Sequence, residues 1–84
     1  MDDIDHCWER LRNLAEHART DPREQAADIV RSFKAQTDQH DIDRLKRRVH
    51  DELTAKTRTQ APLSELERHS RWLAVLNGAK RELG

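Results

Sequence analysis

Ile4, Cys7, Trp8, Leu11, Leu14, Ala15 and Ala18 recur at intervals built from threes and fours. At about 100° per residue they fall within one arc roughly 120° wide, the apolar side of an amphipathic helix. Later groups of apolar residues keep the same spacing, and no segment alternates with the period of a strand. The fold class that follows is all-α: a small bundle of three to four short antiparallel helices in a single domain spanning 1–84, with helices expected over 3–18, 22–36, 39–57 and 63–82. Asp2, Asp3 and Asp5 stand in or before the first turn, where carboxylates suit the positive end of the helix dipole.

Start signals fall between the groups. Asp21-Pro22-Arg23-Glu24 reads as an N-cap, a proline at the first helical position and a glutamate placed to reach back in a capping box. Ala26, Ile29, Val30, Phe33 and Thr37 form the stripe that follows, with Arg31, Lys34 and Gln36 turned outward. Asp38 is the expected cap of the third helix, whose stripe of Ile42, Leu45, Val49 and Leu53 is narrower. Thr54, Thr57 and Thr59 weaken its end, and Gln60-Ala61-Pro62 is the linker. The fourth helix opens either with Pro62 in its first turn or with Ser64 and Glu67 as a capping box. It either stops at Asn77 before a left-handed Gly78 or runs through that glycine at a cost of about 1 kcal/mol.

Along the fourth helix Leu66, His69, Leu73, Leu76 and Leu83 share one side, and Trp72, Val75 and Ala79 widen it beyond what one buried stripe needs. Two kinds of neighbour fit such a flank: a further helix of the same chain, or another molecule. The chain is short, at 84 residues, and charged residues (38%) outnumber hydrophobic ones (35%), so its core is thin and a partner is a natural remedy. Trp72, Val75, Leu76 and Ala79 are accordingly the expected partner-binding residues.

Charge rules out one easy answer. Sixteen basic side chains balance sixteen acidic ones, so no global excess draws the chain to nucleic acid or to anionic membrane. Residues 1–28 carry net −4 and residues 29–84 net +4, and the third helix is the most basic segment. There Arg44, Arg47, Arg48 and Arg58 are the candidates for phosphate contact. Expected pairs of Asp43 with Arg47, Arg48 with Glu52 and Glu52 with Lys56, four residues apart, would neutralise much of that face.

Catalytic chemistry finds no constellation. His6 and Cys7 are adjacent, but neighbours on a helix point about 100° apart, and Cys7 lies on the apolar arc as a structural thiol. The five histidines include no pair at helical ligand spacing, and there is no glycine-rich phosphate loop or nucleophile elbow. We expect no catalytic residue, metal or cofactor. His69, on the inner side of its helix, reads as a core residue. One cysteine allows no intrachain disulfide, the start is acidic where a secretory signal would be basic, and the longest apolar run is Trp72–Leu76, which points to the cytoplasm and away from a membrane. The expected function is a helical protein-interaction module, self-associating, that acts as adaptor, inhibitor or regulator. The alternative is a small nucleic-acid-binding regulator that uses the basic third helix.

Overall fold

The computed structural model describes residues 3–18, 20–58 and 60–84. The expected roles of Asp2 in the first turn and of Thr59 in ending the third helix therefore lie outside the described residues. Four α-helices form a bundle: α1 (Asp3–His17), α2 (Arg23–Gln36), α3 (Gln39–Arg58) and α4 (Leu66–Leu83), with a 3₁₀ turn at Leu63–Glu65 leading into α4. No strand occurs among the described residues.

Local chemistry marks the starts of α2 and α3. Asp38 caps α3 as expected, its Oδ1 accepting the Asp41 backbone N–H at 3.0 Å, while the Thr37 hydroxyl donates to the Asp41 carboxylate at 3.1 Å. At α2 the carboxylate of Asp21 accepts the Arg23 backbone N–H at 3.1 Å. Pro22 stands just before the first helical residue, and Glu24 makes no return bond among the described residues. At α4 neither expected start forms. Pro62 (φ −58°, ψ 153°) is extended, Glu65 N–H bonds back to its carbonyl at 2.9 Å, and no side chain caps the helix. The threonines near the end of α3 are accommodated by back-bonding: Thr54 donates to the His50 carbonyl and Thr57 to that of Thr54.

Every helix contributes to one core. Leu11 of α1, Val30 of α2, Leu45 and Val49 of α3, and Val75 and Leu76 of α4 are its sealed centre. The hub is α4, which packs against each of the other three helices. Its widened apolar side is the direct consequence, because three neighbours at different azimuths need more than one stripe.

The helix continues through Gly78, and the reason is steric. A Cβ at that position would overlap the Arg23 carbonyl oxygen and lie 2.8 Å from the Arg23 Cα, so the start of α2 seats on bare α4 backbone. Further along both helices Lys34 Nζ donates to the Glu82 carbonyl at 2.8 Å, and Arg31 pairs with the Glu82 carboxylate at 3.4 Å. α2 and α4 thus run in the same direction, and α2 begins level with Gly78.

Candidate interaction surface

The four residues expected to meet a partner do not form an outer surface. Val75, Leu76 and Ala79 are each 0% exposed, sealed by the neighbouring helices, and only Trp72 reaches solvent in part. This corrects the expectation: of the two kinds of neighbour the wide flank could have, helices of the same chain take the place. The Trp72 ring meets Trp8 edge to face, centroids 5.5 Å apart at 84°, and its Nε1–H donates to Glu52 Oε1 at 3.3 Å.

What remains exposed lies at the other end of α4. Among the described residues the large hydrophobic side chains left in water are Leu63, 89% exposed, and Leu66, 45% exposed. The Pro62–Glu65 hydrogen bond fixes the turn that carries Leu63. Sequence spacing passes over Leu63, which is out of phase with the inner side of α4. It assigns Leu66 to that inner side, where this end of the bundle leaves the residue partly uncovered.

The same end contains a cleft of about 210 Å³ between Arg12, Ala15 and Glu16 of α1, Glu52 and Lys56 of α3, Glu65 of the turn, and Arg68, His69 and Trp72 of α4. No residue of α2 lines it, in keeping with the late start of that helix. Its lining mixes both signs: Arg12, Lys56 and Arg68 against Glu16, Glu52 and Glu65. His69 is half-buried in this wall rather than in the core, and it makes no hydrogen bond among the described residues, so the core reading of His69 is corrected too.

The basic residues of α3 are divided. Arg48 reaches across to Asp5 of α1 at 2.9 Å and lies 4.5 Å over the Trp8 ring, so it serves the packing of α1 on α3 in place of the expected pair with Glu52. Arg44 stands 3.4 Å from Asp41. Asp43 accepts a bond from Gln39, and the pair with Arg47 does not form among the described residues, whereas Lys56 does approach Glu52, at 4.0 Å. Arg44, Arg47 and Arg48 share a shallow groove with the carboxylates of Asp51 and Glu52. Arg58 lies ten residues beyond Arg48, about 15 Å along the axis, and is not brought to it.

Cys7 is buried, and burial pushes its thiol up to about 11, with Arg10 opposing only in part. Its neighbour His6 is exposed on a different side of α1. No group of three or more His, Cys, Asp or Glu among the described residues could hold a metal ion, and no helix among them is long and apolar enough to cross a membrane. In comparisons with known proteins no family model, no curated protein and no solved structure matched the chain.

Proposed function

We propose that this chain is a small helical interaction module that binds another protein as an adaptor, inhibitor or regulator, and that it does so with the open end of the bundle. One observation carries the reading: Leu63 and Leu66 are left in water beside a recess walled by Trp72, while the rest of the wide apolar side of α4 is consumed by the core. An aromatic ring in a recess, apolar side chains beside it and charges around them are the arrangement from which binding hot spots are built. A lone buried thiol suits a reducing cytoplasm as the place of action.

The test compares two double variants of the tagged protein. Leu63→Glu with Leu66→Glu changes the open end; Lys80→Glu with Arg81→Glu changes α4 about 20 Å away along its axis. Amine cross-linking in nuclease-treated extract then reports which of Lys34, Lys46, Lys56 and Lys80 meets a partner. The expected result is cross-linking through Lys56, reduced about tenfold or more by the first pair and unchanged by the second. Equal capture by both variants would overturn the reading. Capture that disappears with nuclease and with Arg47→Glu would favour the phosphate-binding alternative.

A further inference from the structure

We infer that the Leu63–Ser64 peptide bond is a built-in cutting point for an endopeptidase with an apolar primary specificity pocket, and that one cut there makes the fold depend on concentration. The inference is independent of what binds at the open end.

Recognition is the first reason. An endopeptidase holds its substrate as an added strand and reads the side chain ahead of the scissile bond in a pocket. Among the described residues outside the α-helices, Leu63 is the one large apolar side chain other than proline, and it stands almost fully clear of the protein. The connections before α2 and α3 offer no such side chain among the described residues. Pro62, just ahead of Leu63, already has the extended backbone (φ −58°, ψ 153°) that a strand-like grip needs. Gln60 and Ala61 lie outside regular structure.

Access is the second. The residues after the bond must leave their turn, and little holds them. Residues 62–68 are all exposed, so unwinding the 3₁₀ turn and the first turn of α4 uncovers hardly any apolar surface. The bonds given up are those of the backbone, Glu65 N–H to the Pro62 carbonyl and Leu66 N–H to that of Leu63, and no side-chain cap is lost. A cut after Leu66 would require the following turn as well, where His69 is half-buried.

Hydrolysis adds one water across the amide. The water oxygen bonds to the Leu63 carbonyl carbon, the C–N bond breaks, and the products are a carboxylate on Leu63 and an ammonium on Ser64. α4 then loses its covalent tie to the other three helices, and with it the effective concentration, of order millimolar, that a short linker supplies. The new ammonium also puts positive charge at the start of α4, where the helix dipole favours negative. Since α4 packs against each of the other helices, its departure opens the core.

The experiment treats the purified intact chain with a small amount of chymotrypsin in native buffer and reads the products by intact mass. The first fragments expected are 1–63 and 64–84. The cut protein should keep its helical circular dichroism near millimolar concentration and lose it on dilution to micromolar, while the uncut chain shows no such change. Leu63→Asp should slow the first cut about tenfold or more with the thermal melt unchanged, since the side chain makes almost no contact within the fold, whereas Leu63→Phe should keep it. In urea below the unfolding transition the rate, referred to that of a free peptide of residues 58–68, should change little, because the opening is local. A first cut inside a helix, a rate indifferent to Leu63→Asp, or a rate that climbs with the full urea slope of global unfolding would each overturn the cutting point. Helix content of the cut protein that does not fall on dilution would overturn its consequence.

Discussion

Cys7 shows how far one buried side chain can be followed. Its thiol sits in the core, and burial holds its ionisation near 11 where an unfolded chain would ionise near 9. Between those values the folded form keeps the proton and the unfolded form releases it, so stability from this residue is fully present below about pH 9 and is lost as pH rises towards 11. The loss amounts to roughly 2 to 3 kcal/mol, since each unit is worth about 1.4 kcal/mol. Urea unfolding measured at pH 8 and pH 10.5 should show this fall in the native chain and a smaller one in Cys7→Ala, which has no group to ionise. An equal fall in both would mean that other groups account for it. Below pH 9 the same burial makes the thiol a poor nucleophile, and a thiol-specific reagent should modify unfolded protein much faster than folded.

At the level of the helices, Gly78 reverses a general rule. A glycine within a helix ordinarily costs about 1 kcal/mol relative to alanine, so Gly78→Ala would stabilise an isolated α4. Here the added methyl group meets the Arg23 backbone, which has no side-chain freedom with which to move aside. The expected outcome is a net loss of about 1 to 3 kcal/mol, read as a lower denaturation midpoint. An unchanged or higher midpoint would show that α2 does not seat on α4 in solution. Such close approaches between distant segments are what sequence spacing does not reveal. The cap of α3 was legible at Asp38 because cap and partner lie three residues apart, and the all-α class was legible because the apolar period is local. The start of α4 was not, as a 3₁₀ turn replaces both expected caps. The destination of Val75, Leu76 and Ala79 was hidden for a related reason: the width of an apolar side states how much it buries, not which chain covers it. Leu63 is out of phase with that side, and its exposure follows from the turn after Pro62, which spacing does not encode.

For the whole molecule, the decisive feature is that the other three helices all lean on α4, including α2 through Gly78 and α3 through the Trp72–Glu52 hydrogen bond. Without it, α1 and α2 retain a mutual contact and α3 loses its principal support. A chain ending at Pro62 is therefore expected to give weak helical circular dichroism with no cooperative melt, and a peptide of residues 63–84 added in excess should restore both. A cooperative transition in the shortened chain would contradict the central place of α4. Because synthesis proceeds from the amino end, the keystone of this bundle is the segment that emerges last among the four. While α1, α2 and α3 leave the ribosome they have only the α1–α2 contact and a slight α1–α3 one between them, so closure of the whole core has to wait for α4.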